Sequence, residues 1–361
     1  MIAEYTIQRW LFDTAAGRYD IDLGESGVQF QLLGDVPTDP GWAMDYSQDR
    51  GLPETRRAVA AMYGPDVDPD HVLITHGAQE ALYLFYRSFL SPGDHVVTTT
   101  PGWQQAWTVP EHIGCEVTTL AWQPGGPLDV DALAAVLRPS TRLLILNSPG
   151  NPSGRSVDAQ AWDRIVELAR RHGLWIVNDE EYLLDVGASV ARRYERAVSV
   201  SSLSKVYGLP ALRLGWAVAP PSVIEPMVNY KRYTTVSNSL FSERIAASVL
   251  ADRDAQLARY QALVAGGRPL LDTFAREQAG RVELVEPDGT PFAWFRLLTG
   301  ESSQALTTRL LTDHGVLVMP AEVFGAQRGL RISYARPAAV LTEGLARISR
   351  ALADAPTLLP A

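Results

Sequence analysis

The sequence predicts an α/β fold: a mostly parallel central sheet with helices on both faces, joined to a smaller α+β unit. Three observations predict it. Between about residues 70 and 218, short β-branched runs alternate with amphipathic stretches of helical period, the rhythm of parallel strands linked by crossover helices. After Pro220 that rhythm stops; a helix-rich stretch runs to about residue 275, and strand-like pieces then return. The chain has 361 residues, 46% of them hydrophobic and 20% charged, enough to bury a sizeable core.

The first thirty residues combine a short helical pattern (Ile7, Trp10, Leu11) with an extended piece that turns at Gly24 and Gly27. Gly51-Leu52-Pro53-Glu54 opens a helix to Tyr63, because proline suits a first helical turn and Ala58, Val59 and Met62 share a face. Residues 72–75 read as a strand. Gly77 starts a helix carrying Ala81, Leu82, Leu84, Phe85 and Phe89, stopped by Ser91-Pro92-Gly93. Strands follow at 95–99, 115–120 and 142–147, the last ending in Ser148-Pro149-Gly150-Asn151-Pro152-Ser153-Gly154. Residues 159–171 form an amphipathic helix closed by His172-Gly173. Strands at 174–178, 197–200 and 214–218 complete the sheet. Beyond it, strands are expected at 282–285, 292–297, 316–320 and 329–334, with helices at 303–314 and at the end. The expected division is a large unit over 36–235 and a smaller one from 1–35 and 236–361, with no flexible linker between them.

Bulk properties exclude several functions. A net charge of −9 leaves no basic face for nucleic acid. The single cysteine, Cys115, allows no internal disulfide and no cysteine-rich metal site, and fits a reducing, cytoplasmic setting. No apolar run approaches a membrane span, and Met1-Ile2-Ala3-Glu4-Tyr5 has no leader-like pattern. No metal is expected.

The chemistry concentrates in Ser202-Leu203-Ser204-Lys205, with Arg213 eight residues on. The chain carries 32 basic residues, yet only Lys205 and Lys231 are lysines. Arginine can replace a lysine's surface charge but cannot form a Schiff base with a carbonyl. Lys205, between a strand and Gly208-Leu209-Pro210, is therefore a candidate amine nucleophile. Lys231, in Asn229-Tyr230-Lys231-Arg232-Tyr233, has no such setting and is expected to be an ordinary surface lysine. Ligands of α/β sheets sit at the carboxyl ends of the strands. Gly77-Ala78-Gln79, Trp103, Asn151, Asp179 with Tyr182, and Lys205 all follow such ends. Singly each could be a turn, a packing residue, a loop or a cap; their order, with the lysine last, carries the reading.

These residues resemble the pyridoxal-phosphate enzymes of the class I/II aminotransferase family, from about Tyr46 to Ser333. The resemblance implies the type I fold of pyridoxal-phosphate-dependent transferases, with pyridoxal 5′-phosphate in the larger unit. It implies that Lys205 bonds the cofactor and moves the α-proton, and that Asp179 pairs with the ring nitrogen. Asn151 and Tyr182 would bond the ring's phenolic oxygen, and Trp103 would stack on the ring. Gly77, Ala78, Gln79, Ser202, Ser204 and Arg213 would hold the phosphate. Arg331 and Asn151 would meet the substrate carboxylate. Tyr46 would reach the phosphate site of a neighbouring subunit, implying a homodimer with shared sites. Glu180 and Glu181 are expected to point away from the ring.

Within the family, Thr75 to Leu84, Lys205 to Trp216, His314 to Val318 and Val323-Phe324-Gly325 are similar to capreomycidine synthases, which act on a 3-hydroxylated arginine in antibiotic pathways. Trp103 is a departure, standing where such an enzyme carries tyrosine. A guanidinium substrate needs carboxylates near the entrance, and Glu25 and Asp22 are the candidates. An ordinary amino-acid aminotransferase stays open beside the cyclase reading. A pyridoxal-phosphate-binding regulator, which would carry an added DNA-binding domain, fits less well.

Overall fold

Strand-forming runs and capped helices assemble in the expected order, and a computed structural model describes residues 1–355. The central sheet has seven strands. In spatial order they are Val72–Thr75, Gly215–Val218, Ala197–Ser202, Trp175–Asp179, Thr141–Asn147, His95–Thr100 and Glu116–Ala121. The last five run parallel, and Gly215–Val218 runs antiparallel to both neighbours. The carboxyl ends of these five parallel strands therefore lie on one edge, Thr100, Asn147, Asp179 and Ser202 among them.

Both faces of this sheet are covered, and the strands Val72–Thr75, Gly215–Val218 and Ala197–Ser202 are buried along their whole length. On one face Leu82, Phe85, Val96, Ile145, Val198 and Met227 form a core beneath the helices Ala78–Phe89 and Pro221–Arg232. On the other, Leu144, Leu146, Ile176, Trp162 and Ile165 pack beneath Ala159–His172. That helix shows why its sequence folds locally. Asp158 accepts the amide of Ala161 at 2.8 Å, and Gly173 takes the left-handed conformation at its end. Trp162, Ile165, Val166 and Ala169 recur at helical spacing on the buried face.

The later strands form an antiparallel sheet in the order Met319–Pro320, Leu330–Ser333, Phe292–Leu297 and Val282–Val285. Its core joins Phe295 and Ile332 to Leu271, Leu306 and Leu345 of the surrounding helices. Ile21–Asp22 pairs in parallel with Val316–Leu317, so the N-terminal segment is stitched to the C-terminal part of the chain. Two helices are additional to those expected, Gln105–Ile113 and Val130–Ala135. Pro110 inside the first and the shortness of the second hide their periodicity. Among the described residues no helix is long and apolar enough to cross a membrane.

Lys231 corrects the surface expectation: it is fully buried. Its Nζ donates to Glu80 at 3.1 Å and to Thr235 at 2.8 Å. The packing of Pro221–Arg232 on Ala78–Phe89 supplies a partner 151 residues away, which local sequence cannot show.

Candidate active site

The strand ends open into a cleft of about 610 Å³. Ala78, Gln79, Trp103, Asn151, Asp179, Tyr182, Ser204, Lys205, Arg213 and Arg331 line it, with Asp22, Glu25 and Ser26 from the N-terminal segment. Residues from across nearly the whole sequence therefore meet in one place.

Lys205 follows the strand Ala197–Ser202, and its Nζ lies 3.4 Å from Glu25 Oε2. Burial works against its charge, but Glu25, Tyr182 and Glu181 outweigh it and raise the lysine pKa. Glu25 shifts the other way: the Lys205 ammonium is the main cause that holds its carboxyl below the usual range. The loop that delivers Glu25 is tightly held. Asp22 accepts the amides of Gly24 and Glu25 at 2.8 and 2.9 Å. Buried Arg336 donates to the carbonyls of Asp22, Gly27 and Glu25 at 3.1, 2.7 and 2.9 Å. Gly27 passes close over the lysine: a Cβ there would lie 3.1 Å from Ser204 O and 3.4 Å from Lys205 Cα.

Asp179 ends its strand facing the cleft. Its one side-chain hydrogen bond among the described residues is from the Glu181 amide at 3.2 Å. Burial first, then the nearby Glu181 charge, raises its pKa, with Lys205 opposing. A carboxyl so placed is stabilised by a cation, which a protonated ring nitrogen would supply. Tyr182 donates to Ser26 at 2.9 Å, and Asn151 Nδ2 donates to Tyr182 at 3.5 Å. Burial pushes the Tyr182 phenol up to about 12, although Lys205 and Arg331 oppose it. Arg331 is buried, with its guanidinium 5.3 and 5.1 Å from the ring centres of Phe292 and Phe324. It donates to Asn151 Oδ1 at 2.7 Å and to the carbonyl of Gly24, while its Nε has no partner among the described residues. Trp103 lines the cleft, its ring set edge-on to Tyr5 at 5.7 Å.

The other end is a candidate anion cradle. The helix Ala78–Phe89 begins there, with the unpaired amides of its first turn. Arg213, itself in a left-handed conformation (φ 47°), reaches Ser204 Oγ at 3.4 Å and Pro210 O at 3.1 Å. Gly77 is required beside it: φ is 75°, and a Cβ would come within 2.6 Å of Arg213 Nη2. A Cβ on Gly215 would meet the Ala78 amide nitrogen at 2.5 Å. These residues fit pyridoxal phosphate: amides, a hydroxyl and a guanidinium for the phosphate, a carboxyl awaiting a cation, an amine and an aromatic face. Gly77 and Ser202 stand behind the lining. Ser202 accepts the Ser204 amide at 3.0 Å and donates to Glu181 at 2.8 Å. Tyr46 stays outside the cleft of its own chain, 84% exposed.

Glu181 corrects the expectation that both glutamates point away. Glu180 does, accepting from Ser199 and from the Val190 amide in the interior. The strand alternation then breaks: the Leu183 amide donates to Glu180 O, and this turn aims Glu181 into the cleft. Sequence reasoning also missed Ser26 and Arg336. Three consecutive acids after a buried strand were a signal for Glu181; nothing local marks Arg336.

The chain is similar to known proteins over most of its length. The model of the family "aminotransferase class I and II" matches residues 39–348. Capreomycidine synthase of Streptomyces vinaceus is 33% identical, over 92% of this chain and 89% of its own length. The arginine–pyruvate transaminase AruH of Pseudomonas aeruginosa is 30% identical, over 86% of this chain and 82% of its own. Among solved structures, the PLP-dependent cyclase OrfR superposes with a TM-score of 0.89 at 26% identity, covering 98% of each chain.

Proposed function

The chain belongs to the aminotransferase class I and II family as a pyridoxal-phosphate-dependent enzyme of amino acids, and from that premise we propose that it dehydrates and cyclises a 3-hydroxylated arginine. The observation that carries this reading is Glu25, a carboxylate on a locked loop 3.4 Å from the Lys205 amine. A charge-assisted bond from Glu25 to a substrate guanidinium contributes roughly 1.5–3 kcal/mol. It would fold the side chain back toward the reacting carbons. Asp22, also at the cleft, is tied to backbone amides and serves the loop's shape more than the substrate.

Bound pyridoxal phosphate supplies an electron sink at the substrate's α-carbon. The rest is the work of this chain's residues. Ala78, Gln79, Ser204 and Arg213 would hold the phosphate, Asp179 the ring nitrogen, Asn151 and Tyr182 the phenolic oxygen, and Trp103 the ring face. Arg331, which already donates to Asn151, would grip the substrate carboxylate. The Lys205 amine would take the α-proton. Loss of hydroxide from the β-carbon and addition of a guanidine nitrogen there close a ring with net loss of one water and no redox change. The product feeds antibiotic biosynthesis in this reading. The enzyme would act as a homodimer, with exposed Tyr46 completing the neighbour's phosphate site.

The likeness to the P. aeruginosa transaminase favours a second reading, transfer of the amino group to a keto acid. One incubation separates the two. Purified protein given 3-hydroxyarginine without a keto acid should yield a product lighter by one water. Conversion that needs an added keto acid and consumes it would replace the cyclase reading with transamination.

A further inference from the structure

We propose that Glu181 is a proton-carrying member of the anion cradle, so that a phosphate group binds together with one proton held on the Glu181 carboxyl. The inference rests on the cradle's reading as the cofactor phosphate site. It starts from one hydroxyl. Ser202 Oγ accepts the Ser204 amide at 3.0 Å, and its single proton is given to Glu181 Oε2 at 2.8 Å. While Glu181 is a carboxylate, Ser202 has no proton left for an anion. Glu181 is also 8% exposed and lines the same cleft as Ser204 and Arg213. A carboxylate held there repels an incoming phosphate dianion, and low solvent access strengthens the repulsion.

Protonating Glu181 resolves both problems. The charge disappears, and the carboxylic O–H can donate to Ser202 Oγ, which frees the Ser202 proton to turn toward the phosphate. One proton comes from solvent per phosphate bound, and no covalent bond changes. Among the described residues, the charged groups facing Glu181 are few. Asp179 and Tyr182 share its segment, and Lys205 and Arg213 reach it from the segment after Ala197–Ser202. The helix start contributes Ala78 and Gln79, neither titratable. Burial already raises the Glu181 carboxyl, against Lys205, the Ser202 hydroxyl and Arg213. A bound dianion offsets Arg213 and raises it further. Because the bound state has the higher pKa, phosphate affinity is greatest below the free-state pKa and falls as pH rises toward the bound-state one.

The test uses the full chain freed of cofactor and two probes. Pyridoxine 5′-phosphate lacks the carbonyl that would engage Lys205; pyridoxine also lacks the phosphate, so their difference cancels the ring nitrogen and Asp179. Calorimetric titration at a series of pH values, in two buffers of different ionisation enthalpy, counts protons and finds the pH of greatest uptake. The native protein should take up about one more proton with the phosphorylated probe. Its affinity ratio between the probes should fall as pH rises, with a slope approaching about tenfold per pH unit between the free-state and bound-state pKa. Glu181→Gln should take up no extra proton and hold that ratio within about twofold. A native protein that prefers the phosphorylated probe without extra proton uptake overturns the role of Glu181 alone, as does an unchanged slope in Glu181→Gln. Equal binding of both probes at every pH overturns the phosphate reading of the cradle as well. The native proton count decides the matter even if the variant folds poorly.

Discussion

Replacing Arg336 with alanine should release the loop that holds Glu25 against Lys205. Arg336 is 6% exposed and makes three charge-assisted bonds to this loop, at the carbonyls of Asp22, Gly27 and Glu25. Each such bond contributes roughly 1.5–3 kcal/mol. The loop keeps other ties: the Ser333 amide to Leu23 O at 2.8 Å, the Val28 amide to Lys205 O at 3.2 Å, and Arg331 to Gly24 O. Water can also reach some of the freed carbonyls. The net cost to loop closure is therefore about 2–4 kcal/mol, less than the three bonds summed. In a guanidino substrate's affinity the loss is capped by what Glu25 contributes, about ten- to a hundredfold. The assay is kcat/KM for a guanidino amino acid and for alanine in native protein, Arg336→Ala, Glu25→Gln and the double variant. Arg336→Ala should discriminate against the guanidino substrate, and adding it to Glu25→Gln should cost at most about threefold more, because the two act as one unit. Hydrogen exchange should rise over residues 22–28. Two losses that simply multiply, with alanine suffering equally, would refute the claim that Arg336 works through Glu25.

Three further outcomes follow from the same geometry. Asp179→Asn should bind cofactor but lose roughly a hundredfold or more in turnover, since an amide cannot hold the ring proton; near-native rates would remove Asp179 from the ring. Glu80 sits beside Lys231, where burial alone would raise its pKa, but His76, Lys231 and Thr235 prevail and lower it from 4.5 to about 2. Its folded value lies below its unfolded one, so its contribution is full above about pH 4.5 and is lost as pH falls toward about 2. Acid melting should show Glu80→Gln losing about 3 kcal/mol of stability near neutral pH and little near pH 2; a loss that is independent of pH would mean the pair is not ionic. Light scattering should report a dimer, and an active monomer would remove Tyr46 from the site.

The strand ends were the legible part of the site. Asn151, Asp179 and Lys205 each lie at or just past the end of an expected strand, and that position alone puts them at one edge of a parallel sheet. The antiparallel course of Gly215–Val218 was not legible, because a strand's direction depends on the path of the connection before it. Glu181 was misread because alternation was carried one residue past the strand, into a turn that sequence does not announce. Lys231 was misread for a different reason. Its neighbours Tyr230, Arg232 and Tyr233 read as surface, and only the packing of two helices closes over it. Arg336 bonds carbonyls more than 300 residues away, and backbone carbonyls leave no mark in a sequence.

The chemistry turns on which lysine carries the cofactor, and the chain has only two. Lys205 lies in the cleft with its Nζ at Glu25, whereas Lys231 is sealed against Glu80. Reducing the yellow protein with borohydride, then mapping the label by peptide mass, reads the answer directly. The cofactor mass should sit on the peptide holding Lys205, and Lys205→Ala should abolish it. Label on Lys231, or an undiminished adduct in Lys205→Ala, would contradict the site described here.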